Sequence, residues 1–110
     1  MAMRKEDRVR RVFAWLLESH PLRRRCELTI KELDKEHQGW VEESDGLVEI
    51  FLDRRLPIYA MIETLIHEFA HVKSRRLSHC MEFRRWEHQI DGEFWEWRSG
   101  ITKKKGPPTI

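Results

Sequence analysis

Apolar residues recur at two different periods along this chain, and the two periods separate predicted helices from predicted strands. Over residues 5–19, 57–72 and 80–98 they repeat every three to four positions, which predicts three amphipathic helices. Residues 25–31 alternate instead, which is typical of a strand with one buried face. The stripe positions of the three helices are, in order, Val9, Val12, Phe13 and Leu16; Ile58, Ile62, Leu65, Phe69 and Val72; and Phe83, Trp86, Ile90, Phe94 and Trp97.

A β-hairpin is predicted around Asp45-Gly46. Runs of β-prone residues at 38–44 and 47–53 flank this dipeptide, and Asp-Gly between such runs is a strong signal for a two-residue turn. The register that this turn imposes gives two favourable cross-strand pairs and one unfavourable pair of like charges. The pairs are Val41 with Ile50, Trp40 with Phe51, and Glu42 with Glu49.

The second predicted helix contains the pattern H-E-x-x-H at residues 67–71. Positions i and i+4 of a helix share one face, so His67 and His71 can bind a single Zn²⁺. Glu68 is then placed to take a proton from a zinc-bound water. Pro57 suits the first turn of this helix. The alternative is that both histidines are surface residues of an amphipathic helix.

A catalytic zinc ion has three protein ligands and one open position, so a third ligand must come from outside the motif. His79 is the leading candidate, because it follows His71 by eight residues, after a short polar connection and at the start of the last helix. The alternatives are Cys80 and a carboxylate of the last helix. These carboxylates are Glu82, Glu87, Asp91, Glu93 and Glu96.

The remaining histidines are predicted to have other positions. His20 precedes a proline and is expected to end the first helix. His37, in a polar loop, and His88, on the charged side of the last helix, are expected at the surface. Tyr59 is expected in the core, and no donor for an oxyanion is identified from the sequence.

Composition narrows the class of protein. The 110 residues suffice for one domain, and five Trp and five Phe provide core material although 36% of residues are charged. We expect that domain over residues 1–100 and a flexible basic tail over 101–110. No apolar run approaches the roughly 20 residues of a membrane span. With no signal sequence visible, we expect a cytoplasmic monomer in which Cys26 and Cys80 are free thiols.

Charge gives little information about partners. The formal net charge is only +2, and acidic residues are interleaved with the basic clusters. Solvated surface is the usual meaning of such clusters, and a phosphate-binding patch is the alternative.

The order of these features resembles the SprT-like zinc metallopeptidases, which include the Spartan DNA–protein crosslink proteases. The matching blocks are residues 65–71 and 79–84, where a histidine precedes Glu-Phe at the start of an aromatic-rich helix. Cys80-Met81 replaces the Gly-Pro that is usual in this family. Full-length members often carry a zinc ribbon after this domain, and we expect none within these 110 residues. In its size the chain also resembles the minigluzincins, which take a glutamate as third ligand.

The resemblance implies a small α+β zincin-like domain with an N-terminal helix, a short sheet with a hairpin, an H-E-x-x-H helix and a C-terminal helix. It implies that His67, His71 and His79 bind Zn²⁺ and that Glu68 is the general base of a peptidase. A protein or peptide substrate is expected to lie along an edge of the 38–53 hairpin. The alternatives are a zinc-binding domain without catalysis and a nucleic-acid-associated factor, including action on DNA-associated substrates.

Overall fold

The computed structural model of the protein describes residues 4–75 and 78–99, which form an α+β arrangement of three helices and three strands. This arrangement confirms the predicted fold class. The predicted tail at 101–110 lies outside the described residues. The elements, in chain order, are α1 (Lys5–Ser19), β1 (Arg25–Lys31), β2 (Gly39–Ser44), β3 (Leu47–Asp53), α2 (Ile58–Ser74) and α3 (Met81–Ser99).

The two helices before α3 end close to where the sequence predicts. The backbone N–H of His20 donates to the carbonyl of Leu16 at 2.8 Å and closes α1, as expected for a residue before proline. α2 continues two residues beyond its predicted end at Val72. It stops at Arg75, which adopts the left-handed conformation with φ of 57° that commonly ends helices.

The sheet has the strand order β1-β3-β2. β2 and β3 form the predicted hairpin in the predicted register, including the like-charged pair of Glu42 and Glu49. Asp45 and Gly46 both have positive φ, at 48° and 80°, as a two-residue turn of this kind requires. The parallel pairing of β1 with β3 makes β3 the central strand, which explains its nearly continuous burial from Ile50 to Asp53.

The helices form a layer against the sheet, with α2 at the centre. α1 contacts β1, α2 contacts β2 and β3, and α3 packs on α2. The stripe residues of α2 from Ile62 to Val72 are buried, with Leu65 and Phe69 fully inaccessible, and those of α3 meet them through Ile90 and Phe94. Within the described residues, no helix is long and apolar enough to cross a membrane.

The prediction that Tyr59 belongs to the core is wrong. Its side chain is 45% exposed, because the first turn of α2 faces the end of α3 at the molecular surface. There its ring stacks on Trp95 with centroids 6.2 Å apart, and Arg98 donates to its hydroxyl.

Gly39 allows a close approach between the start of β2 and α2. A Cβ at this position would lie 2.7 Å from the carbonyl oxygen of Phe51 and 2.8 Å from Cγ2 of Thr64. Thr64 is one helical turn before His67, so this contact lies beside the H-E-x-x-H motif.

We therefore expect Gly39→Ala to lower the free energy of unfolding by roughly 1–3 kcal/mol, the usual range for overpacking. Gly92→Ala is the matched control, since a Cβ there meets nothing within 4 Å and the residue lies inside α3. That control should raise stability by about 0.5–1 kcal/mol through the helical preference of alanine. Urea denaturation measures both, and equal effects of the two variants would contradict the close approach.

Candidate metal centre

α2 presents both histidines of the motif on one face and anchors them through the opposite face. The rings of His67 and His71 have centroids 5.0 Å apart, one helical turn from each other. Between them in sequence, Phe69 and Ala70 are fully buried. The apolar contacts of these two residues fix the rotation of α2 and therefore the direction of the imidazoles.

His79 lies with these two histidines. Its Nε2 is 3.2 Å from Nε2 of His67, and its ring centroid is 5.2 Å from that of His71. The left-handed residue Arg75 ends α2, and α3 then packs back against α2, which brings residue 79 to this position. His79, the leading candidate for the third ligand, therefore lies in contact with His67 and close to His71.

The buried ring of Phe83 supports the three imidazoles. It stacks on His71 with centroids 4.2 Å apart and planes inclined by 27°. It also contacts His67 and His79, at centroid distances of 5.0 Å in each case. Because Phe83 is only 1% exposed, it forms an apolar base that limits how far the imidazoles can turn.

The three histidines fit a tetrahedral metal ion. One ligand atom from each histidine lies within 4.8 Å of the others. Among the His, Cys, Asp and Glu residues of the described chain, these three form the group that converges in this way. Metal–nitrogen bonds of 2.0–2.1 Å at tetrahedral angles place two nitrogens about 3.3–3.4 Å apart. The 3.2 Å between His67 and His79 is close to that separation. Imidazole nitrogens suit zinc, copper, iron and nickel.

Glu87 contacts the far nitrogen of His67. Its Oε2 lies 2.7 Å from Nδ1 of His67. A carboxylate can only accept, so Nδ1 carries the proton and Nε2 keeps its lone pair toward His79. From the sequence, Glu87 is one of the alternative metal ligands. In the structure it instead contacts Nδ1 of His67, the ring nitrogen that does not face His79. Spacing along the chain cannot distinguish these positions, because they depend on how α3 crosses α2.

The other alternative ligands take no part in this cluster. Glu93 pairs with His20 at 2.6 Å, where the buried His20 ring packs on Trp86. Asp91 lines a separate cavity between α2 and α3. Glu82 and Glu96 lie on the exposed side of α3, and Cys80 is half-buried outside the three-histidine group.

Glu68 lies beside the cluster in an environment that disfavours its charge. The residue is 9% exposed, and burial raises the pKa of its carboxyl, partly offset by neighbouring His67. A raised pKa brings a carboxylate closer to the range in which it can both accept and return a proton near neutral pH.

An open cavity of about 620 Å³ exposes the cluster to solvent. One wall is formed by residues 36–39, which include the start of β2, and the other by α2. His67, Glu68, His79 and Glu87 all line it. His88, predicted at the surface, is exposed. His37 is also exposed as predicted, but it lines this cavity.

Comparison with known proteins supports the fold. No protein-family model matches the sequence, and no curated protein is significantly similar to it. Among solved structures, the crystal structure of the metallopeptidase zymogen of Pyrococcus abyssi abylysin is similar, with a TM-score of 0.52 and 22% identity. The match covers 96% of this chain and 100% of that one. The chain shares the fold of this metallopeptidase zymogen.

The geometry predicts different roles for His79 and Glu87 in metal binding. Removing a ligand should weaken Zn²⁺ binding more than removing its hydrogen-bond partner, for which a loss of about 10–100-fold is usual. We therefore expect His79→Ala to lose more affinity than Glu87→Gln. Competition titration with a chromogenic chelator measures both affinities.

His88→Ala is the matched control, because His88 lies on the exposed side of α3, outside the three-histidine group. Its affinity for Zn²⁺ should equal that of the parental protein. If binding survives His79→Ala and collapses in Glu87→Gln, the carboxylate is the third ligand and the assignment of His79 is wrong.

Proposed function

We propose that this protein is a zinc-dependent metallopeptidase in which His67, His71 and His79 hold the metal and Glu68 is the general base. The observation that carries the proposal is the convergence of three imidazoles beside a buried carboxylate, at an open cavity that His67, His79 and Glu68 line. The fold shared with a metallopeptidase zymogen supports it.

The donor set favours zinc. Three neutral imidazoles that leave a fourth position open to a cavity are typical of catalytic zinc sites. When bound, zinc supplies a Lewis acid that polarises the scissile carbonyl and lowers the pKa of a coordinated water. Glu87 holds His67 in the tautomer that presents Nε2, and Phe83 keeps the rings in place.

Glu68 carries the proton transfers in this proposal. Its carboxylate accepts a proton from the attacking water as the oxygen–carbon bond forms. It then returns that proton to the amine nitrogen as the peptide bond breaks, so it ends in the state in which it began. The burial that raises its pKa favours the first transfer, because it makes the carboxylate a stronger base.

The substrate in this proposal lies along β2. Within the described part of the chain, β2 is an edge strand, since the sheet order is β1-β3-β2. Its first residue, Gly39, lines the cavity. An extended peptide that pairs with this edge would therefore pass from the strand into the cavity.

The position of His79 also supports kinship with the SprT-like metallopeptidases, whose third ligand is a histidine. Among the alternative carboxylate ligands, Glu87 would have to leave Nδ1 of His67 and reach the other side of that ring. A domain that only binds metal would have no use for Glu68, whose burial is unfavourable to its charge.

Glu68→Gln should keep the fold and the zinc but lose peptidase activity. The amide preserves the shape of the side chain and cannot act as a base, and general bases contribute about 10²–10⁴-fold to rates. Cleavage of internally quenched peptides by the zinc-loaded protein measures the loss, with metal content determined on the same sample. Glu96→Gln, an exposed change on α3, is the control and should cleave at the parental rate. Parental activity in Glu68→Gln would show that the mechanism is wrong.

A further inference from the structure

His37 is the histidine of the cavity that the three-histidine cluster does not use. It lies in the loop between β1 and β2, and it lines the same cavity as His67, Glu68 and His79. It therefore stands on the wall formed by residues 36–39, whereas Glu68 stands on the wall formed by α2. A substrate bound in this cavity would therefore lie between His37 and Glu68.

The ring of His37 is held on two sides. Its Nδ1 lies 2.7 Å from Oδ1 of Asp34, and its ring meets that of Trp40 edge-on with centroids 5.5 Å apart. Trp40 in turn packs on Phe51 of the central strand. These contacts connect an exposed loop histidine to the sheet and leave Nε2 as the ring atom without a protein partner among the described residues.

Asp34 is itself fixed by the loop backbone. Its Oδ1 accepts the N–H groups of Glu36 and His37, each at 3.0 Å. The hydrogen bond from His37 is the main cause that lowers the pKa of the Asp34 carboxyl, so this partner stays ionised at neutral pH. A fixed carboxylate at Nδ1 orients the imidazole ring and leaves Nε2 as the nitrogen that can contact a substrate.

The rest of the cavity offers few other side-chain donors. Glu36, Glu63, Glu68 and Glu87 are acceptors when ionised. The hydroxyl of Thr64 donates to the carbonyl of Ala60 at 2.8 Å and is therefore already engaged. Gln38 can donate, but no side-chain contact fixes its amide among the described residues. His37 is the cavity donor that combines a held position with the capacity for positive charge.

We propose that His37, oriented by Asp34, donates a hydrogen bond from Nε2–H to the oxygen of the scissile carbonyl as that oxygen becomes an oxyanion. This role rests on the proposed peptidase function and adds a catalytic residue to it. This role requires a proton on each ring nitrogen of His37. Nδ1–H then donates to Asp34 and Nε2–H to the substrate, and neither proton is transferred. Asp34 acts through His37 and is a positioning residue.

The test compares His37→Ala, His37→Gln and Asp34→Asn with the parental zinc-loaded protein, on the internally quenched peptide that the parent cleaves best. Loss of one such donor lowers kcat by about 10²–10³-fold. We expect a loss of that size in His37→Ala with little change in KM. His37→Gln, which keeps an N–H donor, should recover part of it, and Asp34→Asn should fall between parent and His37→Ala. His88→Ala is the control and should match the parent.

Affinity for a phosphinic peptide provides a second readout that requires no turnover. Its tetrahedral phosphinate imitates the oxyanion, so its Kd should rise across the variants in the same order as kcat falls. Zinc content and thermal stability should stay at parental values. Unchanged kcat and unchanged phosphinate affinity in His37→Ala would overturn the role of His37. Absence of cleavage by the parental protein would instead count against the peptidase function, and the phosphinate measurement would still decide whether His37 faces the bound oxyanion.

Discussion

The packing of α3 across α2 is the interaction on which the rest of this site depends. Phe83, Ile90 and Phe94 are buried against α2 with 1%, 0% and 1% exposure. That apolar contact sets the crossing of the two helices, and the crossing brings His79 and Glu87 to His67 from different sides. The polar arrangement at the site is therefore specified by apolar residues, because burial of these three side chains together is worth more than any single hydrogen bond made there.

This dependence has an energetic consequence. Three imidazoles and a buried carboxylate are gathered in a small region, which costs free energy of desolvation that the core must offset. A metal ion that binds the folded chain and not the unfolded one would return part of that cost. Gly39 contributes to the same arrangement from the sheet, since its missing side chain lets β2 lie close to Thr64 and the motif.

The sequence predicts local structure well and tertiary contacts poorly, for physical reasons that particular residues illustrate. Helical periodicity and the Asp-Gly turn act over a few residues, so the hairpin register was predictable pair by pair. The parallel pairing of β1 with β3 joins residues more than twenty positions apart, such as Cys26 and Val48, and has no local signal. The site shows the same difference between local and tertiary determinants.

His79 can be proposed from the sequence because the short connection after α2 keeps it close to His71. The contact of Glu87 with Nδ1 of His67 depends on how α3 crosses α2, which the sequence does not show. The prediction that Tyr59 is buried is wrong because helical periodicity does not show where along a helix the core ends.

The central claim is that three histidines, and no carboxylate, bind a zinc ion beside Glu68. A crystal structure of the zinc-loaded protein, with an anomalous difference map collected at the zinc edge, tests it most directly. We predict a single strong peak about 2.0–2.1 Å from one nitrogen each of His67, His71 and His79, with Glu87 still bound to Nδ1 of His67. A peak ligated by Glu87 in place of His79, or no peak between these residues, would contradict the account.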